Sequence, residues 1–288
     1  MRPRLVIFFN ELFGSQIFDW IIPTPNQMYA IAFLVFAVVF YSRGKNAGFS
    51  PHVLLMGLVF GGAGAFLGAK VFYILLHLES YLIRPEHIFA AGGSVSFGAY
   101  LGGMLSVMLY LRYIQTPVMP FLDFSVTILP LATALGRWSC FLNGDDFGKL
   151  TNRFWGVCYP RGSYPFSEQV ARGVLSYQEH LSLPVHPNQL YLSLNALVLF
   201  FLMGWIYRHT RDRPGITFLL YGLLYGSSRF LLEFFREGSP ILPTTLIFPQ
   251  VICLGIVLVC AVFFVYITRT KSPLNQSQFT ITERSCHE

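Results

Sequence analysis

About seven stretches of this chain are long and apolar enough to cross a bilayer, which leaves few folds open to it. They run roughly over residues 27–42, 53–77, 95–114, 119–142, 188–207, 215–235 and 244–268. A helix needs about 20 residues to span the hydrocarbon. Backbone amides find no water there, and the period-2 alternation of a membrane barrel is absent, so each span is expected to be helical. Composition agrees, with 54% hydrophobic and only 12% charged residues, about half the charged share of a soluble domain. The expected fold is all-α: a polytopic membrane protein of about seven transmembrane helices. Residues 1–270 read as one transmembrane domain with an outward-facing loop or head region at 143–187, and residues 271–288 as a cytoplasmic tail.

Orientation follows from the short loops. Threading seven spans puts Arg43, Lys45, Arg112, Arg208, Arg211, Arg213, Arg269 and Lys271 on one side, which the positive-inside rule makes the cytoplasm. The N-terminus is then outside and the C-terminus inside. The loop 143–187 faces out, although it carries Lys149, Arg153, Arg161 and Arg172 beside its acidic residues. The net charge of +6 gathers into no basic stripe, so a nucleic-acid partner is not expected. The segment Arg4–Pro23 opens like a secretory leader, but Asn10, Glu11 and Asp19 interrupt it and no small-residue cleavage site follows. It reads as a retained interfacial helix. The five cysteines (140, 158, 253, 260 and 286) show no metal-ligand spacing, and Cys286 is too near the end for a prenylation box. No metal site is expected.

Two arginines then stand out, because both fall inside apolar spans. Arg137 lies in Gly136-Arg137-Trp138-Ser139-Cys140-Phe141-Leu142-Asn143-Gly144-Asp145-Asp146-Phe147-Gly148, and Arg229 in Tyr225-Gly226-Ser227-Ser228-Arg229-Phe230-Leu231-Leu232-Glu233. A guanidinium at mid-membrane costs about 3 kcal/mol on insertion scales and does not escape by losing its proton. An anion should offset that cost, either a lipid phosphate or a buried carboxylate. Glu233 follows Arg229 by four and is placed to pair with it along one helical face, which would lower the membrane cost without any ligand; that pairing and a bound anion both stay open there. Arg137 has no such neighbour, since Asp145 and Asp146 lie beyond the helix break expected at Asn143-Gly144. It is therefore the stronger ligand candidate. Lys70 has no acidic residue three or four positions away, and a place in the polar interior is preferred over snorkelling. The glycines at 61–68 and 92–103 read first as a close helix seam; Gly92-Gly93 at a span's start also suits anion binding.

Taken together these blocks resemble the bacterial prolipoprotein diacylglyceryl transferases. The likeness runs in order through the Tyr29 span, Gly92-Gly93 to Gly102-Gly103, Gly136-Arg137 to Gly148, His186-Pro187-x-Gln189-Leu190-Tyr191, and Tyr225-Gly226-x-x-Arg229-x-x-x-Glu233-Phe234-Phe235-Arg236. It implies an inner-membrane enzyme that moves the diacylglyceryl group of phosphatidylglycerol to the lipobox cysteine of a prolipoprotein signal peptide, releasing glycerol phosphate without a cofactor. By position it implies catalytic roles for Arg137, Arg229 and Glu233. Substrate-binding roles fall to Tyr29, Asn143, Gly148, Tyr225, Arg236, His186 and Gln189.

The chain also departs from that pattern. Phe97 stands where a His or Tyr is common, Cys140 where an Asn is usual, Asp145 for a common Glu, Leu192 for a frequent Glu and Lys70 for a frequent Arg. Phe97 neither gives nor takes a proton, so a general base is sought, in order, at Glu233, Asp145 or His186. Three readings stay open at this point, in this order: the transferase itself; a relative serving another acceptor, with Cys140 as nucleophile or as an inert Asn substitute; and a lipid-binding protein without catalysis.

Overall fold

The computed structural model describes residues 11–13, 22–83, 96–238 and 246–270. Most of the Arg4–Pro23 segment, the Gly92-Gly93 pair and the tail from Lys271 lie outside them. The chain divides into two compact units, one made from Met1–Phe36 with Asp123–Glu288 and the other from Ala37–Leu122.

A helix stands at each of the seven expected places. The first, α1 (Pro25–Asn46), begins two residues before the span expected from residue 27. Thr24 Oγ1 accepts from Gln27 N at 3.3 Å, while Gln27 Oε1 accepts from Thr24 N at 2.8 Å. This reciprocal cap, with Pro25 just inside it, satisfies amides that no earlier turn reaches. α2 (Pro51–Leu76) repeats the device, its cap residue Ser50 accepting from Val53 N at 3.3 Å. After the short α3 (Leu78–Ile83) comes α4 (Ser96–Tyr113). α2 and α4 meet along glycines: a methyl group on Gly64, Gly68, Gly98 or Gly102 would run into the facing backbone. The packing reading of these glycines is the one the geometry supports, because in lipid close backbone approach replaces the hydrophobic effect as the source of association.

α5 (Val118–Ser125) and α6 (Leu129–Asn143) follow one another at an angle of 44°, the geometry of a broken span or a re-entrant loop. Pro130 sits at the start of α6 and offers no amide to the preceding turn. Thr127 caps the break by donating from both its amide and its hydroxyl to Phe124 O, at 3.1 and 2.7 Å. Beyond α6 the stretch 144–187 has one helix, α7 (Tyr164–Ala171), and isolated antiparallel bridges such as Leu150 with Val185. No strand occurs among the described residues. α8 (Asn188–Thr210) and α9 (Ile216–Leu232) follow, then a 3₁₀ turn (Glu233–Phe235) and α10 (Phe248–Thr270). The start of α9 is held by Asp123, whose buried carboxylate accepts from Gly215 N at 2.5 Å and Phe218 N at 2.7 Å.

Among the described residues α1, α2, α8 and α10 qualify as spans by length and apolarity, with a fifth if the bent α5–α6 pair is counted as one span. That is short of the seven expected. α4 is diluted by glycine and serine, and α9 has only 17 residues. Just 11% of the apolar stretch of α2, and the same share of α10, is buried by protein. So much apolar surface needs a lipid solvent.

Candidate functional site

The site begins at the C-terminal end of α6. Gly144 caps that helix with φ 88°, and two residues later Asp146 also takes a left-handed backbone, φ 54°. Had the helix continued, position 146 would sit about 14 Å along the axis from position 137. Instead the two left-handed residues turn the chain back, and Arg137 Nη1 donates to Asp146 Oδ2 at 2.6 Å. The expectation that Arg137 is the less paired of the two intramembrane arginines is thereby corrected: a carboxylate nine positions on reaches it because the helix stops.

Asp146 has a second partner. Its Oδ1 accepts from Arg236 Nη2 at 2.5 Å. Arg236 Nη1 in turn donates to Glu233 Oε1 at 2.6 Å, and Glu233 Oε2 lies 3.0 Å from Arg229 Nη2. The result is one chain of charge, Arg137–Asp146–Arg236–Glu233–Arg229, drawn from the end of α6, the end of α9 and the turn behind it. Arg229 and Glu233 are 4% and 1% exposed, deep enough that an uncompensated charge would be very costly. Arg229 Nη1 is nonetheless buried without a hydrogen-bond partner among the described residues. Among the described residues this chain sets three guanidinium groups against two carboxylates, one positive charge over.

The two adjacent aspartates are driven apart by their surroundings. Burial would raise Asp146, but the guanidinium groups of Arg236, Arg137 and Arg229 outweigh it and hold its carboxyl below the usual range. Asp145 moves the other way, raised by burial and then by the negative charge of Asp146. Its Oδ1 is buried and without a hydrogen-bond partner among the described residues.

Backbone contacts fix the turn that carries both. Gly148 bridges Arg236 and donates its amide to His186 O at 3.0 Å. A Cβ at Gly148 would stand 2.6 Å from His186 Cβ and 2.7 Å from Phe235 O, so only glycine fits. Gln189, fully buried, donates from Nε2 to Asp145 O at 2.6 Å and to Tyr159 Oη at 3.2 Å. Burial drives the Tyr159 hydroxyl upward, keeping it a neutral partner.

A family model described as prolipoprotein diacylglyceryl transferase matches residues 25–266. The chain belongs to the prolipoprotein diacylglyceryl transferase family. Similar proteins carry the name phosphatidylglycerol–prolipoprotein diacylglyceryl transferase. That of Clostridium tetani is 32% identical over 242 residues, covering 83% of this chain and 87% of that protein. That of Ralstonia pickettii is 29% identical over 238 residues, 75% of this chain and 79% of its own length. The Thermotoga maritima protein is 27% identical over 248 residues, 82% and 80% of the two chains. The apolar helices and this kinship describe a transferase that is a multi-pass protein of the bacterial inner membrane.

Within this family member, the structure gathers only some of the residues singled out from sequence. Arg137, Arg229, Glu233 and Arg236 lie in the ionic chain, with Gly148 and Gln189 bracing its loop. Asn143 ends α6, directly before the Gly144 cap and two residues before Asp145. Tyr29 of α1 meets Cys140 of α6, Oη to Sγ 3.3 Å. His186 turns its ring toward Tyr191, Nδ1 to Oη 3.1 Å, and against Phe235. Burial and then the charge of Arg153 lower its pKa, so the ring is neutral near pH 7. Tyr225 stacks on Tyr221 at 5.5 Å and packs against the Val126–Leu199–Met203 core. Lys70 and Phe97 belong to the other unit.

Sequence reasoning passed over Asp146, Tyr159 and Trp155. For Asp146 the signal was present, since an Asp two residues beyond a glycine helix cap is a residue type that tolerates the left-handed region. Tyr159 and Trp155, the latter donating to Tyr191 Oη at 2.7 Å, leave no such trace.

Proposed function

We propose that this chain transfers the diacylglyceryl group of phosphatidylglycerol to the thiol of a prolipoprotein's lipobox cysteine, and that the ionic chain around Arg229 receives the lipid phosphate. The observation that carries this is the buried, unpartnered Nη1 of Arg229 within a cluster holding one more cation than anion. A phosphodiester brings one negative charge and acceptor oxygens, which is what the cluster lacks. The arginines at mid-membrane are thus held partly by internal carboxylates and partly by ligand.

The reaction requires little else. The cysteine thiol loses its proton, the thiolate sulfur bonds to the glyceryl carbon, and the C–O bond to phosphate breaks, with the electron pair leaving on glycerol phosphate. Arg137, Arg229 and Arg236 face that growing charge in a water-poor site, where fixed guanidinium groups stabilise it without reorganising. Glu233 is engaged by two arginines, which makes it a positioning group for them. Asp145, raised in pKa and open at Oδ1, is the better proton acceptor. Tyr29, Asn143, Gly148, Tyr225, His186 and Gln189 shape and hold the site. Seven spans with the N-terminus outside and 143–187 facing out put the cluster on the side where the signal peptide emerges.

Purified protein given labelled phosphatidylglycerol and a lipobox peptide should place label on the peptide cysteine, with Arg137→Ala and Arg229→Ala both slowed by about 10²- to 10³-fold. Lipid binding without transfer overturns the proposal.

A further inference from the structure

Asp146 differs from Glu233 in how it is held. Glu233 is anchored in the turn that ends α9 and its side chain is 0% exposed, whereas the Asp146 side chain is 24% exposed. Asp146 sits on a loop between a helix cap and the Gly148 bridge, with a left-handed backbone at φ 54°. Its two oxygens occupy two different cations, Arg137 at 2.6 Å and Arg236 at 2.5 Å. A carboxylate that bridges two guanidinium groups in this way makes the contacts that two oxygens of a phosphate would make.

We infer that Asp146 is a resident anion, occupying Arg137 and Arg236 until a lipid phosphate displaces it, and so sets how tightly the site takes a phosphodiester. The inference rests on the phosphate reading of the cluster given above. An incoming phosphate meets Arg236 first, whose side chain is 26% exposed, and Arg137 and the buried Nη1 of Arg229 become available as the Asp146 side chain swings toward solvent. With Asp146 in place the cluster has one cation in excess. With Asp146 withdrawn it has two, which matches a phosphate monoester leaving group of charge near −2. Such a resident competitor lowers apparent affinity by the fraction of time it holds the site. It also keeps three like charges together when no lipid is bound.

The test uses the full chain in phosphatidylcholine nanodiscs containing phosphatidylglycerol. It reads the KM for phosphatidylglycerol, kcat, and the inhibition constant of inorganic phosphate. Asp146→Asn should lower both KM and the phosphate constant, each by about tenfold if the resident pairing holds the site nine-tenths of the time. A constant that rises or stays unchanged makes Asp146 a brace and overturns the inference. If Asp146→Asn melts far below the parent, Asp146→Glu decides, because it keeps the charge: phosphate must then bind no more tightly than to the parent, and tighter binding sinks the idea. A parent that binds phosphate but transfers nothing fails the transferase reading alone, while a parent that phosphate does not inhibit fails this one.

Discussion

Arg137 donates to Asp146 at 2.6 Å although nine residues and the end of a helix separate them. Their pairing ties the position of a buried guanidinium to the shape of one turn. Removing either member leaves a charge that the remaining partners must absorb.

The first prediction concerns the arginines themselves. Arg229→Ala is expected to cut kcat by about 10²- to 10³-fold, the usual cost of losing one fixed donor to a developing charge. Arg229→Lys should recover little, since an ammonium on that stem does not offer a planar fork to Glu233 and a ligand together. Transfer assays on both variants check this, and a lysine variant at full rate would remove the case for directional donors.

Gly148 gives a purely steric prediction. Gly148→Ala places a methyl 2.6 Å from His186 O and 2.7 Å from Phe235 O, both backbone atoms. The loop must move, and with it Asp146. Destabilisation of about 1–3 kcal/mol is expected, together with loss of transfer exceeding what the drop in melting temperature explains.

A pH dependence follows from Asp145. Its folded pKa is raised, so the folded state binds its proton more tightly than the unfolded chain does. The stabilising contribution is complete below the unfolded value and is lost as pH rises through the folded one. Asp145→Asn, which stays neutral, should therefore melt close to the parent near pH 4 and above it at pH 8. The same variant should lose transfer if Asp145 takes the thiol's proton. Melting curves that shift equally at both pH values would contradict the assignment.

Cys140 tests the alternative chemistry. Its thiol lies 3.3 Å from Tyr29 Oη, filling a place where a side-chain amide would also bond. Cys140→Asn is expected to retain transfer, and mass spectrometry of the turning-over parent should find no diacylglyceryl on Cys140. A lipid adduct at that residue would make it a nucleophile.

The helix seam provides a control away from the site. Gly68→Ala would put its methyl 2.8 Å from Gly102 Cα, and α2 and α4 have no slack there. A loss of about 1–3 kcal/mol in thermal or denaturant unfolding is expected.

Much of this molecule was legible in its sequence because the signals are local. The helices follow from runs of apolar residues. The α2–α4 seam follows from glycines at helical spacing, and the Arg229–Glu233 pair from a four-residue step on one helix face. Those relations need only the period of a helix. Family kinship was visible for the same reason, as blocks of sequence in order.

What tertiary structure alone decided is where the unpaired charge resides. Arg137 looked the emptier of the two, yet two left-handed residues reverse the chain and bring Asp146 to it, leaving Arg229 with the open donor. Arg236 joins both carboxylates only because the end of α9 and the loop after α6 meet at the Gly148 bridge. Contacts between residues tens of positions apart carry no periodic mark in a sequence, since they depend on how helices pack and where the chain turns. The sequence determined that buried cations would need anions; the fold determined which anions are its own and which must come from lipid.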